Sequence, residues 1–255
     1  MENQKGKPST RAKNKYNSLN YDKIHIIIPK GQKSELSSSA GEAGKSLNGY
    51  ILNVINEYRL RTKLLNEKTY TIIGGVNGTG KSSFAGVMKS KNEFLGEIID
   101  ADKITAENKL FPVEGDRIAL LRIAELLDKG TSFTQETAFS NSKIEIIAET
   151  AKELGYFVRL FYIGFNTPEE AIKRIYNRIA RGGYDIGEVN IQHRFTERWK
   201  KIKKVLPYCD EAFFFDNDNG FIEVAEYLNK KFVLKGEAQP DWILELSGYL
   251  KRNKI

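Results

Sequence analysis

The sequence predicts an α/β protein, a parallel sheet with helices on both faces, preceded by a small module of different make-up. Three observations lead there. From Tyr70 onward, short apolar strands (YTIIGG, EIID, SFTQET, YFVRLFYIG and DEAFFFD) alternate with amphipathic helices such as RIALLRIAELLDK and SKIEIIAETAKELG, as in a sheet buried on both faces. A glycine-rich turn joins the first of these strands to a helix starting at Lys81. The charge is uneven: residues 1 to 70 hold 13 Lys or Arg against six Asp or Glu, while the rest balances at 27 against 27.

The whole excess of +7 therefore sits in the first quarter of a 255-residue chain. Two readings stand for it, a polyanionic partner or a solvated basic tail. The length allows one full α/β domain plus a small module, and 40 % hydrophobic with 29 % charged residues describes a globular protein. A single cysteine, Cys209, excludes an internal disulfide framework and fits a reducing compartment. The opening MENQKGKPSTRAKNKYNS lacks the apolar core of a signal peptide, and no run reaches the roughly 18 apolar residues of a membrane span. A cytoplasmic location is expected, with no membrane partner.

Residues 1–20 are rich in Lys, Asn and Ser without periodicity and read as a disordered basic arm. Residues 21–65 read as strand, helix, helix. Ile24, Ile26 and Ile28 alternate with Lys23, His25 and Ile27 up to Pro29. A modest helix then ends at Gly44, and a stronger one follows with Ser46 as its N-cap and Leu47, Ile51, Val54, Ile55 and Tyr58 on one face. One strand cannot pair within so short a unit, so a partner is expected, most simply a second copy. Residues 66–255 form the larger domain; its tail, Pro240-Asp241-Trp242-Ile243-Leu244, either closes the domain or contacts a partner.

Gly75-Val76-Asn77-Gly78-Thr79-Gly80-Lys81-Ser82 matches the phosphate-binding loop G-x-x-x-x-G-K-[ST], after a strand and opening a helix. Its glycines let backbone N–H groups surround phosphate oxygens. Lys81 reaches the β- and γ-phosphates of ATP, Ser82 ligates Mg²⁺, and Ser83 follows in the same binding turn. The second strand ends in Asp100 and Asp102. One of the pair can accept a proton from a substrate hydroxyl while the other orients metal or helix; alternatively Asp102 simply caps the next helix. Glu136 and Thr137 emerge at the end of the third strand and suit a hydroxylated acceptor. Arg174, Arg178 and Arg181 share a helical face, and Arg194 and Arg198 follow; arginines on a lid can neutralise charge on a transferring phosphoryl group.

These pieces together resemble the zeta toxin family, whose best-known members phosphorylate UDP-N-acetylglucosamine. The similarity runs from about Tyr70 to Gly220, on GGVNGTGKSS, IIDADKI, TSFTQETAFS, KELGYFVRLFYIG, EEAIKRIYNRIARGGYDIGEVNIQHRF and FFFDNDNG. The resemblance implies a P-loop kinase fold, Lys81 and Ser82 on phosphate and Mg²⁺, Asp102 as the base, Glu136 and Thr137 on the acceptor, Arg174 as a catalytic phosphate clamp, and an antitoxin as a partner. From their positions alone, Asp100 is a further candidate on the acceptor, and Arg178, Arg181 and Arg194 are candidates for a phosphate clamp or lid. Two departures concern the acceptor: Glu136-Thr137-Ala138 where many relatives read ETT, and Gly182-Gly183-Tyr184 where they read GGH. The amino-terminal unit resembles ribbon-helix-helix proteins of the Arc type, which implies a homodimer with Lys23, His25 and Ile27 facing DNA, or a dimerisation module alone.

The expected function is transfer of the ATP γ-phosphate to a small hydroxylated acceptor such as a UDP-sugar. An antibiotic or a nucleoside is a narrower variant of that acceptor. The alternative is a nucleotide-gated DNA-binding regulator without a metabolite acceptor.

Overall fold

The computed structural model describes residues 24–66, 68–91, 93–139, 143–179, 188–237 and 239–253, without the side chains at 57–66, 178, 179 and 190. The basic arm, Lys23, Arg181, Gly182, Gly183 and Tyr184 lie outside the described residues, as does the side chain of Arg178. The chain divides into two compact units, Met1–Arg59 and Leu60–Ile255.

The first unit carries α1 (Gln32–Glu42) and the start of α2 (Leu47–Asn66). Gly44, at φ +64°, reverses the chain after α1 while Lys45 N–H donates to the Ala40 carbonyl, a left-handed helix stop. Ser46 Oγ then accepts from Gly49 N–H at 3.2 Å and caps α2. The expected strand at Ile24–Ile28 carries no ladder. Its peptide groups need a second strand, and none of the described residues of this unit supplies one. Among the described residues of this unit Ala40 is the only buried hydrophobic one, and Ile26, Ile28, Leu36, Leu47, Tyr50 and Ile51 line an apolar groove of about 450 Å³.

The second unit is built on a seven-stranded sheet of order β2-β3-β1-β4-β5-β6-β7. Its parallel part comprises β1 (Thr69–Gly74), β2 (Glu97–Asp100), β3 (Phe133–Thr137), β4 (Phe157–Gly164) and β5 (Glu211–Asp216). The sheet is mixed rather than wholly parallel: β6 (Ile222–Leu228) and β7 (Lys231–Leu234) add antiparallel strands. Asn229 and Lys230, both at positive φ, make the tight reversal between them.

Helices cover both faces. On one side α3 (Lys81–Ser90) lays Phe84, Ala85 and Met88 over Ile73, Phe161 and Ile163. The other side is larger. There α5 (Pro112–Asp128), α6 (Lys143–Glu153), α8 (Glu188–Val205) and α9 (Asp241–Arg252) bury Ile123, Ile144, Trp199 and Leu246 against Tyr70, Leu160 and Tyr162. Two further helices, α4 (Ala101–Asn108) and α7 (Pro168–Ile179), follow β2 and β4 directly. Asp100, rather than Asp102, caps α4: its Oδ1 accepts from the N–H groups of Asp102 (3.0 Å) and Lys103 (3.2 Å).

Of the two readings of the tail, closure of the domain is the one realised. Trp242 is 1 % exposed and stacks on Trp199 at 6.3 Å. Its indole N–H donates to Asp216 Oδ1 at 2.7 Å, and its backbone N–H to Asn166 Oδ1 at 3.2 Å. Gly164 leaves room for the ring, since a β-carbon there would lie 2.6 Å from it. Trp242→Ala should therefore destabilise the domain by about 3–5 kcal/mol, read as a lower denaturation midpoint with an unchanged slope in urea.

Candidate active site

β1 delivers the phosphate loop to the carboxyl edge of the sheet. Gly75, Gly78 and Gly80 have φ of 147°, 87° and 90°, a region that L side chains rarely enter. Neighbours press on the same glycines: a β-carbon on Gly78 would lie 2.6 Å from the Ala171 carbonyl oxygen, and one on Gly80 would lie 2.7 Å from Asn217 Nδ2. The loop is also braced from within, where Thr79 Oγ1 donates to the Val76 carbonyl at 3.0 Å. Gly75, Val76 and Thr79 shape the turn without lining the cleft. Asn77, Gly78, Gly80, Lys81, Ser82 and Ser83 line it directly.

That cleft, of about 430 Å³, is closed on its other side by Asp100, Asp102, Glu136 and Arg174. Sheet register explains the convergence. Asp100 pairs with Glu136 across β2 and β3, and Glu136 pairs with Ile73 just ahead of the loop. Lys81 is 7 % exposed, with Nζ 3.3 Å from the Val76 carbonyl. Burial pushes its pKa down against the opposing pull of Glu136, Asp102 and Asp100. The carboxyls of Asp100 and Glu136 are pushed up, in each case chiefly by burial. Ser82 Oγ donates to Glu136 Oε1 at 2.9 Å, and Asn77 Nδ2 donates to Asp102 Oδ2 at 3.2 Å.

Two of the expected arginines reach this region. Arg174 lies over the Phe165 ring at 4.2 Å and donates to the Asn217 carbonyl at 2.6 Å; Arg194 donates to Asn77 Oδ1 at 2.5 Å. Arg198 points elsewhere. It is buried against Trp199 and pairs with Glu245 at 2.8 Å. Thr137 also stays out of the cleft lining, its Oγ1 accepting from Phe139 N–H at 3.0 Å in the turn after β3. His25 and Ile27 belong to the first unit and are exposed, Ile27 to 98 %.

Sequence reasoning missed Asn217. Its buried side chain donates to the Thr79 carbonyl at 2.8 Å while the backbone carbonyl of the same residue receives Arg174, so the residue ties loop and clamp together. The signal was available: Asp216-Asn217-Asp218-Asn219-Gly220 follows an apolar strand at the carboxyl edge, where ligands bind in open α/β sheets. Lys103, Ala106 and Ile175 line the cleft as well. Among the described residues no three His, Cys, Asp or Glu side chains gather to hold a metal. The Ser82 hydroxyl at the cleft fits Mg²⁺ all the same, because that ion takes most of its ligands from phosphates and water.

An uncharacterized protein of Haemophilus influenzae is 32 % identical over 127 residues, which cover 48 % of this chain and 88 % of that one. The chain belongs to the family of that protein. No protein-family model matches it. In fold it is similar to a chain of the PezAT chromosomal toxin–antitoxin system of Streptococcus pneumoniae, with a TM-score of 0.52 at 14 % identity over 79 % of this chain and 94 % of that one. It is also similar to AvrRxo1-ORF1:-ORF2, solved with ATP, at a TM-score of 0.50 and 14 % identity over 90 % and 80 %. These likenesses bear out the expected α/β architecture as a fold. Among the described residues no helix is long and apolar enough to cross a membrane.

The raised carboxyl of Glu136 has a consequence for stability. Ionising it costs folding free energy in the native protein and not in the unfolded chain. The penalty is present near neutral pH and disappears below the ordinary value of 4.5, where both states are protonated. Glu136→Gln should melt at a higher temperature than the parent near neutral pH, and calorimetric scans should show that lead shrinking as the pH falls toward 4.5.

Proposed function

We propose that this chain is an ATP-dependent phosphotransferase of zeta type that moves the γ-phosphate to a hydroxyl of a small acceptor, with UDP-N-acetylglucosamine the first candidate. The observation that carries the reading is a buried Lys81 in a glycine loop facing Asp100, Asp102 and Glu136 across one cleft. A phosphate-binding loop alone would serve any nucleotide binder. Carboxylates beyond the phosphates are what a hydroxyl acceptor requires.

In the proposed reaction the loop N–H groups and Lys81 hold the β- and γ-phosphates. Asp102, whose Oδ1 takes no part in its bond to Asn77, takes the proton of the acceptor hydroxyl. The acceptor oxygen bonds to the γ-phosphorus as the bond from that phosphorus to the β,γ-bridging oxygen breaks, and ADP leaves. Arg174 and Arg194 offset the charge on the transferring group. Mg²⁺, held with the help of Ser82, would screen the phosphates. Asp100 is engaged at the helix cap, which leaves Glu136 as the stronger candidate to grip the acceptor. A reaction fed by ATP and a sugar nucleotide belongs in the cytoplasm. The likeness to a chain of a toxin–antitoxin system supports a protein inhibitor as a further partner.

For the first unit the proposal is a homodimer. Two Ile24–Ile28 segments would pair as strands, supply each other's missing hydrogen bonds, and cover the groove around Tyr50 and Ile51. Lys23, His25 and Ile27 would then face DNA. The exposure of Ile27 supports a strand face turned toward a partner. The basic excess of the first 70 residues favours the second reading, a nucleotide-gated DNA-binding regulator.

Mass spectrometry of products from Mg²⁺-ATP with and without UDP-N-acetylglucosamine tests the kinase. A phosphorylated sugar nucleotide should form, fall below detection in Lys81→Ala, and disappear in Asp102→Asn while ATP still binds. ATP consumption that is indifferent to acceptor, together with nucleotide-dependent DNA binding, would favour the regulator. Sedimentation equilibrium should return twice the 29.0 kDa chain mass, and Tyr50→Asp, which places a charge in the groove, should return the monomer.

A further inference from the structure

We infer that Asn77 is a positioning residue whose single carboxamide holds both Asp102 and Arg194 in register with the phosphate loop. The inference rests on the phosphotransferase reading and deepens it. In a loop of this type the backbone N–H groups bind phosphate, so the side chain at this position is free of that duty. Here it is a polar amide only 3 % exposed. Both of its ends are bonded, each to a charge of opposite sign: Nδ2–H donates to the Asp102 carboxylate at 3.2 Å, and Oδ1 accepts from the Arg194 guanidinium at 2.5 Å.

The amide orientation follows from chemistry, since a flipped group would set NH₂ against a guanidinium and oxygen against a carboxylate. No charged side chain could replace it. A carboxylate would repel Asp102, and an ammonium would repel Arg194. The bridge also spans two elements, because Asp102 stands on α4 and Arg194 on α8. Arg174, by contrast, is held by Asn217 and Phe165 and is independent of Asn77. The charges acting on Lys81 include those of Asp102 and Arg194, so both groups bridged by Asn77 bear on the point where the phosphoryl group moves. Placement errors of about 1 Å at such a point can cost ~10²-fold in rate.

The test needs no acceptor. Calorimetric titration measures the affinity for MgADP alone and for MgADP with aluminium fluoride, which mimics the transferring phosphoryl group. Asn77→Leu should bind MgADP within about twofold of the parent, yet lose most of the gain conferred by aluminium fluoride, on the order of tenfold to a hundredfold. Arg194→Ala should lose a similar amount, and the double variant no more than either single one. Asn77→Gly, which removes both bonds without adding apolar bulk, should repeat the result if the leucine variant fails to fold. An equal loss on MgADP alone would make Asn77 a structural part of the loop and overturn the inference, as would additive losses in the double variant. A parent protein whose MgADP affinity ignores aluminium fluoride would overturn the phosphotransferase reading itself, and the inference with it.

Discussion

Three glycines with no room for a β-carbon hold the chemistry of this protein in place. Gly75 lies against the Ile163 carbonyl at the end of β4, Gly78 against the Ala171 carbonyl in α7, and Gly80 against the Asn217 amide after β5. The loop is therefore wedged among three elements that come from distant parts of the chain. Its shape is set by their packing as much as by its own residues.

The electrostatics of the cleft follow from that wedge. Burying Lys81 beside Asp100, Asp102 and Glu136 keeps a cation among carboxylates, and burial pushes Lys81 down while pushing Asp100 and Glu136 up. Burying charge in this way costs folding free energy. It is the arrangement expected where binding chemistry, rather than stability, dictates residue choice. The aromatic layer of Tyr162, Trp199 and Trp242 beneath the sheet edge supplies the rigidity in return. It bonds to Asp216, the residue next to Asn217, so the terminal helix supports the turn that touches the loop.

The first unit obeys a different constraint. Its helices are well stopped and capped, by Gly44 and Ser46, but local signals of this kind do not make a core. With Ile24, Ile26 and Ile27 exposed and the Ile24–Ile28 segment unpaired among the described residues, the unit presents the apolar surface that the proposed dimer would cover.

The sequence by itself determined the order of elements in the parallel sheet, the loop, the lysine and the serine, because apolar periodicity and glycine spacing are local and legible along the chain. It also singled out Asp102, Glu136, Arg174 and Arg194, which the fold brings near the loop. It did not reveal β6 and β7, whose turn is an inconspicuous Asn229-Lys230, nor decide between the two roles open to the tail with Trp242. Nor did it separate Asp100 the helix cap from Asp102 the cleft carboxylate, Arg198 the core residue from Arg194 the site residue, or Thr137 the turn residue from Glu136. Those distinctions turn on side-chain direction and on partners far away in sequence: Asn217 for Thr79, Asn77 for Arg194, Glu245 for Arg198. Only the tertiary structure decided them, since a hydrogen bond has a length and an angle that no spacing along the chain specifies.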